Sequence, residues 1–381
     1  MDAETAERAQ ALASSNLDWA YLVETASRHG VASLLHVNLK TVCPSAVPQA
    51  VLAQLTDLFR KQKARNAFLT GELLRLLALF ESRGIPAIPY KGPLLASSVY
   101  GGLVFRQFSD LDLLIKRRHF PMARKLMQSQ GYRPMFKLTP AQETVHLRRH
   151  QEFPFVSEAT GTLVEIQWKI EAMYFSFGVG FDDLSAHLEP VSLWGREIVT
   201  IPLQDLLLLL CVHSAKHLCP RLGWICDVAE LIRRHNQMDW EEIIKTARSL
   251  RGERFLFLGI RLANLLLGVP LPKEILEKAV SYPQIEAYCL YVRRQLFRDD
   301  SSLHRALQDI LFHLSLSERL SDRIRYGLDL ATTPTISDWQ SIALPDRLSF
   351  LYYFVRPMRL AGRYAGSLIN HFRGPVVHGS W

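Results

Sequence analysis

The sequence is poor in several features that usually reveal a protein's class. Only 5 of its 381 residues are cysteine. Cys43, Cys211, Cys219, Cys226 and Cys289 are odd in number and scattered, with no CxxC pair among them. This argues against a disulfide framework and for a reducing compartment. Long hydrophobic runs are missing too, and the longest, LLLLLCV at 206–212, is far too short to cross a bilayer. The opening stretch, MDAETAERAQALASSN, is acidic and helix-forming, with no apolar signal core. There is no internal repeat and no low-complexity linker. Together these absences lead to the expectation of a cytoplasmic protein with no membrane insertion.

Acidic residues are outnumbered: 37 Asp and Glu stand against 45 Lys and Arg, for a formal charge of +8. A mild basic excess suits an anionic ligand such as a nucleotide. The basic clusters FRKQKARN, KRRHF, LRRH and VRRQLFR are separated in sequence and mixed with apolar helix positions. No nucleic-acid module is legible, and nucleic acid is not expected as a partner.

What is present reads as helices, a small mixed sheet, then helices. With 48% hydrophobic residues, the chain has material for two or three domains. The stretch from Val47 to Gly84 carries apolar residues at helical spacing and reads as one long helix or two nearly collinear ones. An upstream helix in SNLDWAYLVETASRHG is expected to take its cap from the opening Ser/Asn pair and to stop at Gly30. From 85 onward short apolar pieces, prolines and glycines take over. IPAIPY and LDLLI read as strands, and QEFPFVSE and TLVEIQWKI around ATG read as an antiparallel hairpin. Helical patterns return from Leu203. The expectation is an α+β protein with an N-terminal helical region (1–84), a core with a mixed β-sheet (85–200) and a C-terminal helical domain (201–381).

Chemistry concentrates in FRQFSDLDLLIKRRH, residues 105–119. Side chains at i and i+2 of a strand share a face, so Asp110 and Asp112 project together, roughly 6–7 Å apart at the backbone. Two carboxylates so placed can share hard divalent cations. Magnesium takes few carboxylates and completes its shell with phosphate oxygens and water. In LVEIQWKI, Val164, Ile166, Trp168 and Ile170 are expected on one face and Glu165, Gln167 and Lys169 on the other. Glu165 is thus a third carboxylate on a strand expected to lie beside 111–115. Upstream, Lys91 and Gly92 stand between a strand and a helix, where a glycine lets backbone approach a phosphate and the helix N-terminus favours an anion.

In CVHSAKHLCPRLGWICD, His213 and His217 are four apart on one helix face. Zinc is disfavoured there: Ser214 occupies the position where a zinc protease motif has glutamate, and the cysteines lack paired spacing. Two readings remain open. Lys216, His217 and Arg221 line a cleft and touch a nucleotide or acceptor, with Asp227 orienting one of them. Alternatively, His213 and Asp227 are hydrogen-bonded core residues and the cations are solvated.

Strand, Lys91-Gly92, helix, Tyr100, Arg106, Asp110-Leu-Asp112 and then Glu165 in VEIQW form a combination that resembles the polymerase-beta-like nucleotidyltransferases. Within them the chain is most similar to the bacterial uncharacterised nucleotidyltransferase family, a resemblance continuing through CVHSAKHLCPRLGWICDVAEL and into LPDRLSFLYYFVRPMRL. The resemblance implies metal-dependent transfer of a nucleoside monophosphate from an NTP, expected to be ATP, to an unidentified acceptor, with release of pyrophosphate. Asp110, Asp112 and Glu165 would bind two Mg2+ ions (Mn2+ being the alternative), with Glu165 a ligand or a base. Lys91, Gly92 and Arg106 would meet phosphate. Two departures stand out. Pro93 rather than serine follows Gly92, and Gln167 occupies a place where the family often has histidine. The rival reading is a non-catalytic nucleotide- or partner-binding protein on the same fold.

Overall fold

The computed structural model describes residues 3–171, 177–235, 237–297, 303–317, 319–342 and 344–372. Four helices open the chain: α1 (Ala3–Ala13), α2 (Trp19–Arg28), α3 (Ala32–Val42) and α4 (Gln49–Glu81). The cap of α2 is Asp18, not the upstream Ser/Asn pair, and its carboxylate accepts from the Tyr21 amide at 2.9 Å. A carboxylate at the N-cap satisfies an amide that has no partner inside the helix. Helix α4 runs unbroken for 33 residues. Its C-terminal half sends Leu69, Leu73, Leu76 and Phe80 into one core with the sheet, so the helix is anchored by the sheet it covers.

The sheet follows. Its elements are β1 (Ala87–Pro89), α5 (Pro93–Ser98), β2 (Asp110–Ile115), α6 (Phe120–Ser129), β3 (Tyr132–Pro134), α7 (Pro140–Arg149), β4 (Glu152–Ser157) and β5 (Leu163–Gln167). Strand order is β1-β2-β5-β4-β3. Only the central β2–β5 pair is parallel, and β4 and β5 form the antiparallel hairpin expected from the sequence. Alternation does the sorting. Leu111, Leu113 and Ile115 of β2, Val164 and Ile166 of β5, and Phe153 and Phe155 of β4 all enter the core shared with α4 and α6. The residues between them face the other way.

One expected run of alternation breaks. The long strand reading of TLVEIQWKI ends at Gln167, which pairs with Glu152, the first residue of β4. Trp168 still packs with Val164 and Ile166, but Ile170 joins a different core. With β4 exhausted, the chain leaves the sheet, and β6 (Lys169–Glu171) pairs instead with β7 (Gly178–Gly180). Then come α8 (Phe181–Leu184) and a second ribbon, β8 (Glu189–Leu193) with β9 (Arg196–Thr200).

The rest is helical: α9 (Leu203–Lys216), α10 (Leu222–Arg234), α11 (Trp240–Ser249), α12 (Glu253–Leu267), α13 (Lys273–Val280), α14 (Pro283–Gln295), α15 (Leu303–Leu316), α16 (Leu320–Thr332), α17 (Ile336–Ser341) and α18 (Tyr352–Phe372). Helix α9 is apolar nearly all round, with Leu206 to Val212 buried without interruption, as expected of a central helix. Its core extends to Ile88, Tyr90, Leu95 and Leu114 on the sheet side, which brings the helical region against the edge of the sheet. The fold is therefore α+β, a small mixed sheet flanked by helical regions. Among the described residues no helix is long and apolar enough to cross a membrane.

Candidate active site

The polar face of the sheet and the end of α9 enclose a cavity of about 600 Å³. Asp110 and Asp112 enter from β2, Glu165 and Gln167 from β5, and Glu152 from β4. Lys91 and Gly92 enter from the turn between β1 and α5. Arg106 comes from the loop before β2, and His213, Lys216, His217 and Arg221 from the end of α9 and the turn after it. The three carboxylates and the Lys91, Gly92, Arg106, Lys216, His217 and Arg221 set thus all line this one cavity, while Asp227 does not.

Strand register explains the carboxylates. Asp112 pairs with Glu165 across β2 and β5, and Asp110 is two residues earlier on the same face. Between the first two sits the Gln167 side chain, whose Nε2 donates to Asp112 Oδ1 at 2.9 Å and to Glu165 Oε2 at 3.2 Å. Gln167 Oε1 accepts from the Tyr90 hydroxyl at 2.6 Å. Burial, and then the neighbouring carboxylates, push Glu165 well above the ordinary carboxylate range. Asp112 is also raised, chiefly by burial and opposed by the Lys91 charge. Low dielectric disfavours the ionised form, and like charges add to that. Among the described residues no three His, Cys, Asp or Glu side chains are drawn together as a ready-made metal site.

The Lys91-Gly92 turn owes its backbone path to glycine. Gly92 has φ +55°, and a Cβ there would sit 3.6 Å from the Asp110 carbonyl oxygen. The left-handed region is open to glycine at little cost. Lys91 Nζ donates to His213 Nδ1 at 3.1 Å. His213 is held neutral, its pKa well below the ordinary value because of burial and the Lys91 charge, which frees Nδ1 to accept. The His213, His217 and Trp224 rings pack together, with the His213 and Trp224 centroids 4.6 Å apart. Of the two readings of this segment, His213 follows the hydrogen-bonded one, while Lys216, His217 and Arg221 face the cavity.

Arg106 is committed elsewhere than to a phosphate. Its Nε and Nη2 donate to Asp227 Oδ1 and Oδ2 at 2.8 and 2.9 Å, and the Tyr100 hydroxyl donates to Oδ1 at 2.8 Å. Asp227 therefore orients none of Lys216, His217 and Arg221. It ties the loop before β2 to α10, and Asn66 of α4 adds donation to the Arg106 carbonyl at 2.8 Å. A bidentate pair of this kind fixes orientation as well as charge.

Three features of the cavity were not foreseen. Glu152 adds a fourth carboxylate, placed by its pairing with Gln167. Gln167 bridges two carboxylates, although its departure from the family's histidine had already marked the position. The turn between α9 and α10 holds Leu218 and Cys219 at φ +64° and +50°. Non-glycine residues in that region cost about 1–2 kcal/mol each. The Cys219 amide donates to the Ser214 carbonyl at 2.7 Å, which helps to hold the turn.

A family model described as "Uncharacterised nucleotidyltransferase" matches residues 15–268. No curated protein matches the chain. Two solved structures are similar to it. One is the solution structure of the antibiotic-resistance factor ANT(2'')-Ia, 14% identical, covering 48% of this chain and 93% of that one with a TM-score of 0.35. The other is the crystal structure of ANT(2'')-Ia in complex with adenylyl-2''-tobramycin, 14% identical, covering 48% and 98% with a TM-score of 0.36.

Proposed function

The chain belongs to the uncharacterised nucleotidyltransferase family, and from that membership we propose that the cavity between sheet and helices is its nucleotidyl-transfer site. Asp110, Asp112 and Glu165 form the centre, and the observation that carries the reading is their shared face across the parallel β2–β5 pair. The reaction is attack by an acceptor heteroatom on the α-phosphorus of an NTP, with ATP the expected nucleotide. The bond to pyrophosphate breaks and the acceptor's proton is lost. The acceptor is a small molecule, a peptide or a protein.

The donor set suits magnesium. Its oxygens are hard, and burial, with the neighbouring carboxylates, makes ionising Asp112 and Glu165 costly, a cost that a bound cation would relieve. Magnesium uses one or two carboxylates and takes its other ligands from phosphate and water, so a ready-made three-residue cage is not required. A bound divalent cation would offset charge on the attacking and leaving oxygens.

The remaining roles belong to this chain's own residues. Lys91, as a point charge, and the Gly92 turn meet the phosphates. Lys216, His217 and Arg221 bind nucleotide from the helical side. Glu165 holds the cation or, in its ionised form, takes the acceptor's proton. Arg106 acts through Asp227, holding the loop that leads into β2. The end of α9, the turn after it and the start of α10 supply the helical wall, and a reducing, cytoplasmic setting suits the buried free thiols.

Labelled NTP incubated with magnesium and a panel of amine- and hydroxyl-bearing acceptors tests the reading through pyrophosphate release. Turnover by the wild-type protein that is lost in Asp112→Asn supports it. NTP binding without metal dependence and without product on any acceptor would instead favour a non-catalytic nucleotide-binding protein.

A further inference from the structure

Gln167 is 6% exposed and Tyr90 2% exposed, and their hydrogen bond crosses from the end of β5 to the residue just before Lys91-Gly92. The primary amide of glutamine has two N–H groups and one carbonyl oxygen. Here both hydrogens are used on carboxylates of neighbouring strands, Asp112 Oδ1 at 2.9 Å and Glu165 Oε2 at 3.2 Å. The carbonyl oxygen is taken by the Tyr90 hydroxyl at 2.6 Å. Reversing the amide would press its oxygen against two carboxylates and leave the tyrosine hydrogen facing an NH2 group. The chemistry of the three partners therefore favours one orientation.

We propose that Gln167 is a positioning residue whose amide, locked by Tyr90, sets the spacing of Asp112 and Glu165 for a divalent cation and couples that spacing to the Lys91-Gly92 turn. This rests on the proposed reading of those carboxylates as the cation site. Each carboxylate has two oxygens, and the amide engages one of each, so the other is the one a cation would take. When both carboxylates ionise, as cation ligands must, loss of the bridge lets them repel and turn apart. Tyr90 follows β1 and immediately precedes the phosphate turn. A displacement of Gly92 by a bound triphosphate is thereby felt at the carboxylates through one hydroxyl and one amide. Residues that hold metal ligands in place typically change metal affinity by roughly tenfold to a hundredfold when removed.

The test is Mn2+ binding to the full-length protein, followed by the loss of the free-ion electron paramagnetic resonance signal, with and without a non-hydrolysable NTP analogue. Gln167→Met keeps the length and apolar volume of the side chain and removes the amide. Tyr90→Phe keeps the buried ring and removes the lock. Asp112→Asn serves as the control for the site itself, and thermal melts establish that each variant is folded. The expected result is about tenfold to a hundredfold weaker Mn2+ binding in Gln167→Met. A smaller loss in the same direction is expected in Tyr90→Phe, together with a reduced gain from the NTP analogue. Wild-type affinity in both variants, alongside loss in Asp112→Asn, overturns the proposal and leaves the site reading intact. If Asp112→Asn binds like wild type, or wild type binds no Mn2+, the site reading fails and the proposal with it.

Discussion

Asp112 and Glu165 face one another across two parallel strands and share the two hydrogens of a single glutamine amide. Neither forms an ion pair among the described residues, and both are pushed toward the protonated state by burial. A fold that wanted only stability would place leucines there, as it does at Leu111 and Leu113 on the opposite face. The cost of this arrangement makes it informative, and several consequences can be measured.

Asp112→Asn is expected to lower NTP turnover by roughly a hundredfold or more while leaving the melting temperature unchanged or higher. Pyrophosphate release and calorimetry on the same preparation check both halves. A parallel loss of fold and activity would speak against a site role.

Glu165 also predicts a pH dependence of stability. Its folded pKa lies above the unfolded value, so the folded state binds more protons. Stability from this group is fully present below the ordinary glutamate pKa and is lost as pH rises through the elevated one. Glu165→Gln should therefore raise the melting temperature by a few degrees at pH 8 and by less at pH 5, in metal-free buffer. Equal shifts at the two pH values would contradict the assignment.

The imidazoles act at the other end of the scale. Burial lowers His150, His217 and His313 from 6.5 to about 4. A histidine kept neutral in the fold contributes stability that is present above its unfolded pKa and is lost as pH falls toward the folded one. Melting temperature should drop between pH 6.5 and 4, and His217→Asn should flatten that limb. An unchanged acid limb in the variant would remove His217 as a contributor.

Breaking the Arg106–Asp227 pair from one side should be severe. Arg106→Ala leaves the buried Asp227 carboxylate held by the Tyr100 hydroxyl, and one-sided loss of a buried pair costs about 3–5 kcal/mol. Urea denaturation gives the number directly. Arg106→Leu combined with Asp227→Leu should recover much of it, because no charge is then stranded.

Local pattern made part of this molecule legible. The length of α4, the strand at 111–115 and the β4–β5 hairpin follow from periodicity and from turn residues. The carboxylate pair followed from the period of a strand, and Glu165 from the same rule applied to its neighbour. What escaped depends on partners far along the chain. Arg106 meets Asp227 across 121 residues and Lys91 meets His213 across 122, and no spacing rule reaches that far. Glu152 was hidden for a related reason. It sits at the first position of an ordinary-looking strand, and only the register against Gln167 turns it toward the cavity. The break after Gln167 escaped too, because apolar alternation continues in the sequence after the neighbouring strand has ended.

The most direct test of the central claim is isothermal titration of a non-hydrolysable NTP analogue into the protein, with and without magnesium, for wild type and Asp112→Asn. Magnesium is expected to tighten binding to wild type by at least tenfold, and the tightening to disappear in Asp112→Asn. Equal affinity in all four titrations, or a magnesium effect that survives the substitution, would contradict the assignment of Asp110, Asp112 and Glu165 as the site of nucleotidyl transfer.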